Sequence, residues 1–171
     1  ATAEDLRSDY PHIEILPVVA DFTEPFALPN PTRRPTHAAV YFPGSTIGNL
    51  QEHEAVHLLK STSELCGRGG GLLIGVDLDK DPTVLELAYD DPQGVTSEFN
   101  LNLLHRMRDE LGAELEVENF EHVARYDATN TRIEIFIRSL CDQHIELGGN
   151  RFELSEGELI HTEYSHKYTI E

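Results

Sequence analysis

Phe42-Pro43-Gly44-Ser45-Thr46-Ile47-Gly48-Asn49 follows the short apolar run Ala38-Ala39-Val40-Tyr41 and precedes a helical pattern. That order predicts a strand, a tight turn and a helix. Open α/β sheets build their ligand sites at the carboxyl ends of strands, and a glycine-bearing turn lets backbone approach a ligand closely. Ser45, Thr46 and Asn49 add short donors and acceptors where nothing larger fits. The same residues also suit an ordinary strand-to-helix turn in which Thr46 or Asn49 caps the helix.

Outward from this turn, Ile13 to Val19, Ala38 to Phe42 and Leu72 to Val76 are short apolar runs with polar or glycine-rich borders, the pattern of strands buried on both faces of a parallel sheet. Gln51 to Cys66 has helical periodicity through Ala55, Leu58, Leu59, Thr62 and Leu65 and stops at Gly67. A βαβ unit is therefore expected. The connection after Phe22 carries Pro25, Pro29, Pro31 and Pro35 and reads as a surface loop. Past Val76 the pattern changes to two helices, Thr83 to Tyr89 and Val95 to Leu111, followed by strand candidates at Phe120 to Tyr126, Arg132 to Ser139, His144 to Leu147, Arg151 to Leu154 and Leu159 to Tyr164. Asp127-Ala128-Thr129-Asn130-Thr131 reads as a hairpin loop. The expected organisation is parallel α/β over residues 1–78, α plus antiparallel β over 79–167, and the start of a return to the first domain over 168–171.

The 171 residues and their 39% hydrophobic content can support a buried core. Thirteen basic against thirty-one acidic residues give a net charge of −18, which repels nucleic acid and anionic membrane surfaces. Cys66 and Cys141 show no framework or CxxC spacing, and no apolar run approaches membrane-spanning length. A cytoplasmic protein is expected. The chain opens within what reads as a helix and carries no initiator methionine, as a fragment would.

Three constellations carry candidate chemistry. His53-Glu54-Ala55-Val56-His57 matches the HExxH zinc pattern, but Ala55, Leu58, Leu59 and Leu65 cluster on one side of the helical wheel, which leaves both histidines on the side facing solvent. No metal is expected there. Asp21-Phe22 follows the first strand candidate; an acid can accept an exocyclic amine of adenine and an aromatic can flank its face. Both are expected on the same sheet edge as the Gly44 to Asn49 turn. In His161 to Thr169, an extended chain puts Glu163 and Ser165 on one face together with His161 and Lys167. A carboxylate and a hydroxyl side by side can grip the two nitrogens of an imidazole, although a solvent-facing edge strand has the same composition.

Taken in order, Phe42 to Asn49, Gly75-Val76-Asp77-Leu78, Ala88-Tyr89-Asp90-Asp91, Gly94-Val95-Thr96, Phe99-Asn100-Leu101-Asn102, and His161-Thr162-Glu163 with Ser165 and Lys167-Tyr168 resemble the S-adenosylmethionine-dependent L-histidine Nα-methyltransferases of ergothioneine biosynthesis. The resemblance runs over nearly the whole chain. It implies part of a Rossmann-like methyltransferase sheet followed by an α+β substrate-binding domain, with methyl transfer to the α-amino group of L-histidine giving hercynine. It further implies that Asn49 holds the α-amino and carboxylate groups, Tyr89 the carboxylate, and Glu163 with Ser165 the imidazole, with Gly44 and Thr46 completing the substrate turn. Asp21, Phe22, Gly44 and Ser45 match the cofactor site, and no side chain is assigned a covalent or acid–base role. The family's upstream glycine-rich loop and N-terminal tyrosines have no counterpart here, so the resemblance implies an internal piece, inactive alone; a monomer is expected. A methyltransferase for another amino acid or a noncatalytic interaction module are the alternatives; an apolar substrate would leave Glu163 and Ser165 unpaired.

Overall fold

A computed structural model describes residues 2–170, which divide into two compact units. The first comprises residues up to Pro43 together with Gln51–Gly75; the second comprises Gly44–Leu50 and the chain from Val76 onward. The chain is mixed α/β, and the turn Gly44–Leu50 belongs to the second unit.

In the first unit, β1 (Ala39–Phe42), α2 (Glu52–Cys66) and β2 (Gly71–Ile74) form a parallel βαβ pair in register from Ala39 opposite Gly71 to Phe42 opposite Ile74, after an N-terminal helix α1 (Thr2–Asp9). Helix α2 starts in a capping box in which the Gln51 N–H donates to Glu54 Oε2 at 2.7 Å. Two strands about 4.8 Å apart cannot cover a fifteen-residue helix. Accordingly Leu59 and Leu65 remain exposed on the face expected to be apolar and covered, and only Thr62 of α2 is buried. Ile13 to Val19, expected as a strand, is irregular and largely exposed. β-structure needs a ladder partner, and among the described residues this run has none.

The second unit adds α3 (Pro82–Tyr89), α4 (Val95–Leu111), the antiparallel sheet β3-β4-β7 (Phe120–Asp127, Arg132–Ser139, Leu159–His166) and the hairpin β5-β6 (Gln143–Leu147, Asn150–Leu154). Asp81 caps α3 by accepting from the Thr83 N–H at 2.8 Å, and Pro82 occupies the first turn, where its missing N–H costs nothing. Alternation along β4 sends Ile133, Ile135 and Ile137 to one face, where α3 and α4 cover them. Leu85 packs on Ile133 and Ile135, and Leu104 joins Ile137, Phe120, Val117 and Ile145 in a second cluster. Each fully buried Leu or Ile contributes about 1.5–3 kcal/mol of transfer free energy.

β7 departs from strict alternation. Its pairing runs Ile135 opposite Glu163, then Phe136 opposite His161, so Thr162 is the extra residue of a bulge, and its hydroxyl donates to the Ile135 carbonyl at 3.1 Å. One extra residue reverses every side chain beyond it. His161 therefore lies on the other face, with its ring 3.9 Å from Tyr164 and 5.2 Å from Phe136, and not beside Glu163 as alternation predicts.

Candidate functional site

Gly44 and Ser45 both have positive φ, +77° and +57°. The left-handed region is free for glycine but costs a serine of order 1 kcal/mol, and here a specific bond holds it: the Asp77 N–H donates to Ser45 Oγ at 2.8 Å. Thr46–Asn49 then form a 3₁₀ turn that packs against β7. Gly48 makes that approach possible, since a Cβ on it would stand 2.9 Å from the His166 carbonyl oxygen. Asn49, at the end of the turn, is exposed, and among the described residues its side chain has no hydrogen-bond partner.

Tyr89, the last residue of α3, is fixed from behind. The Tyr89 carbonyl accepts from His122 Nε2 at 2.7 Å, and the same ring takes a bond at Nδ1 from the Asn100 amide at 2.9 Å, whose other donor reaches the Phe136 carbonyl at 3.0 Å. These bonds set one imidazole tautomer, with the proton on Nε2. The Tyr89 hydroxyl meets Ser165 Oγ at 2.7 Å. Glu163 shares the Ser165 face of β7, is partly buried, and has no hydrogen-bond or ion-pair partner among the described residues. Burial pushes its carboxyl above the ordinary value, and the charge of Lys167 offsets part of that rise.

The substrate residues expected from the sequence, Gly44, Thr46, Asn49, Tyr89, Glu163 and Ser165, thus all belong to the second unit, as does Ser45. Asp21 and Phe22 belong to the first. Asp21 Oδ1 accepts from the Thr23 hydroxyl at 2.6 Å and the Thr23 N–H at 2.9 Å, bonds that hold its carboxyl below the usual range. Phe22 meets Phe42 edge to face at 5.5 Å, beside a cavity of about 490 Å³ whose lining includes Val40, Leu58 and Phe26. Asp21 does not line that cavity, and because Ile13 to Val19 is irregular the Asp21-Phe22 pair does not follow a strand end as expected.

Lys167 and Asp77 are not among the site residues expected from the sequence. The Lys167 side chain is wholly buried and reaches Tyr89, Ser165 and Asp77; its position two residues beyond Ser165 showed only which face it shares. Burial raises the Asp77 carboxyl, but the bonds from Lys80 and Lys167 and their charges outweigh it and leave Asp77 below its ordinary value. His53 and His57 are exposed on α2, and no set of three or more His, Cys, Asp or Glu side chains that could hold a metal ion occurs among the described residues. No helix among them is long and apolar enough to cross a membrane.

The second unit thus brings the Tyr89 and Ser165 hydroxyls together on the β7 face that also carries Glu163, with the 3₁₀ turn that ends in Asn49 packed against the same strand. Residues 1–171 match the family described as histidine-specific methyltransferase, SAM-dependent, and the chain belongs to that family. It is 38% identical over 169 residues to the histidine N-alpha-methyltransferase of Mycolicibacterium smegmatis, covering 97% of this chain and 51% of that protein. For the histidine N-alpha-methyltransferase of Mycobacterium tuberculosis the figures are 37% over 171 residues, 98% and 52%. A 69-residue stretch is 39% identical to ergothioneine biosynthesis protein 1 of Neurospora crassa, covering 40% of this chain and 8% of that protein. The chain spans about half the length of the first two relatives.

Proposed function

We propose that the full-length protein carrying this chain transfers methyl groups from S-adenosylmethionine to the α-amino group of L-histidine, giving hercynine on the route to ergothioneine. The observation that carries this reading is Glu163, a partly buried carboxylate that feels the charge of Lys167 but makes no side-chain hydrogen bond among the described residues, on the face of β7 that also presents the Tyr89–Ser165 hydroxyl pair. A half-buried carboxylate gains from an N–H donor, and an imidazole supplies one together with a second nitrogen for Ser165. An apolar amino acid in the same place would strand both groups.

In this reading the first unit is the part of a Rossmann-like domain that holds the adenine end of the cofactor through Asp21 and Phe22, and the second is the substrate domain. Thr46 and Asn49 hold the amino and carboxylate groups of histidine in this reading, and Tyr89 its carboxylate. S-adenosylmethionine supplies an electrophilic methyl on sulfur. The residues contribute position, because a neutral amine held in line attacks without covalent help from protein. The unpaired Cys66 and Cys141 support a reducing, cytoplasmic setting.

Glu163→Ala in the full-length protein tests the assignment. It removes a charge-assisted contact worth roughly 1.5–3 kcal/mol, so histidine methylation should weaken on the order of ten- to a hundredfold while calorimetric affinity for S-adenosylmethionine stays close to the parent's. Undiminished methylation of histidine by the variant would remove the imidazole from this pocket.

A further inference from the structure

Lys167 is an ammonium with no side-chain exposure, placed among the hydroxyls of the proposed substrate site. Taking such a charge out of water is costly unless it is paired and fully hydrogen-bonded. A lysine has three donors and no acceptor, and here they meet three oxygens: Asp77 Oδ2 at 3.0 Å, the Tyr89 hydroxyl at 2.8 Å and Ser165 Oγ at 2.7 Å. Tyr89 and Ser165 are themselves 2.7 Å apart, so Nζ and the two hydroxyl oxygens close a triangle. Asp77 anchors the triangle from behind, since it also pairs with Lys80 and gives its backbone N–H to Ser45.

We infer that Lys167 is the positioning residue of the substrate site, which fixes what Tyr89 and Ser165 offer a ligand without touching the ligand itself. Each hydroxyl has one proton and two lone pairs. Lys167 takes one lone pair from each, and the Tyr89–Ser165 bond takes one proton and one further lone pair. What remains is one donor and one acceptor, on different residues: when Tyr89 donates outward, Ser165 only accepts, and the reverse. Without Lys167 the same pair would have one donor, three acceptors and no fixed orientation. The restricted pair suits a ligand that shows an acceptor to one hydroxyl and an N–H to the other. The carboxylate of histidine and its doubly protonated ring do so, one ring N–H going to Glu163 and the other to Ser165, and the inference rests on the histidine reading above to that extent.

The test is Lys167→Met in the full-length protein, which keeps side-chain length and removes every donor. Lys167→Met with Asp77→Asn is the companion, which removes the Lys167–Asp77 ion pair as a whole and keeps the local charge balanced. In both, KM for L-histidine should rise on the order of ten- to a hundredfold, as expected for losing the charge-assisted anchor of two binding groups, with kcat changed much less and S-adenosylmethionine affinity unchanged. A lysine that only held the fold would act otherwise: melting temperature and active fraction would fall at constant KM, and the double variant would recover both. That outcome overturns the proposal, as does a KM equal to the parent's in either folded variant. A parent that fails to methylate histidine overturns the substrate reading and this inference together, whereas an active parent beside variants of unaltered KM overturns the inference alone.

Discussion

Gly48→Ala should damage the proposed substrate site from a position that carries no functional group. The added Cβ would lie 2.9 Å from the His166 carbonyl oxygen and 3.3 Å from the His166 nitrogen, both backbone atoms, with Ser45 Oγ at 3.5 Å. Ordinary contact begins near 3.4 Å, so the 3₁₀ turn and the end of β7 must part by several tenths of an ångström. Backbone cannot rotate out of the way as a flexible side chain can. Overpacking of this kind costs about 1–3 kcal/mol. The functional loss should be larger than that figure suggests, because Asn49 follows Gly48 directly and Ser165 precedes His166, so one displacement moves groups on both sides of the site. Misplacement by a fraction of an ångström to 1 Å can cost up to roughly a hundredfold in kcat/KM, here expected first through the KM for histidine. The assay is thermal unfolding alongside histidine methylation by the full-length protein, with Gly71→Ala as control, since no atom lies within 4 Å of a Cβ built there. A Gly48→Ala protein with the parent's melting temperature and the parent's KM for histidine would refute the reasoning.

Two further outcomes follow from burial. Because burial raises the Glu163 carboxyl above its ordinary 4.5, the folded protein binds that proton more tightly than the unfolded chain between 4.5 and the raised value, and stability falls as pH climbs through this window. Glu163→Gln should accordingly melt higher than the parent at pH 8 and lose the advantage below about pH 4, where the parent's carboxyl is protonated in both states; parallel melting curves at all pH would contradict it. Leu104→Ala, at a helix position with 1% exposure packed on Leu115, Val117 and Ile137, should cost about 2–5 kcal/mol in denaturant unfolding. A loss below 1 kcal/mol would mean that α4 does not seal the sheet as described.

The legible parts of the fold were those whose periodicity is local. Ile133, Ile135 and Ile137 alternate with Glu134, Phe136 and Arg138, and they do form a strand with one covered face. The helix ending at Gly112 and the hairpin at residues 127–131 were likewise set by short-range chemistry, a left-handed cap in one and the Asp127 side chain accepting from Thr129 and Asn130 in the other. What could not be read depends on partners distant in sequence. Ile13 to Val19 has strand composition, but a ladder is a property of two segments and not of one. Thr162 gives no local sign that it is a bulge, since the extra residue is defined against β4, and alternation misplaces His161 for that reason.

Lys167 shows the same limit at the site itself. Alternation from Ser165 puts it on the correct face, where a lysine is ordinarily a solvated charge. It becomes a buried anchor only because Asp77, ninety positions earlier, and Tyr89 at the end of α3 converge on its ammonium. The turn from Gly44 to Leu50 follows the same logic. It is contiguous with β1 in sequence, yet it packs with the second unit because the Asp77 N–H holds Ser45 and Gly48 admits β7. Residues 44, 45, 49, 77, 89, 163, 165 and 167 therefore stand on one compact body. Small displacements in that body act on all of them together, which is why a methyl group added at Gly48 and a donor removed at Lys167 should both appear first in the KM for histidine.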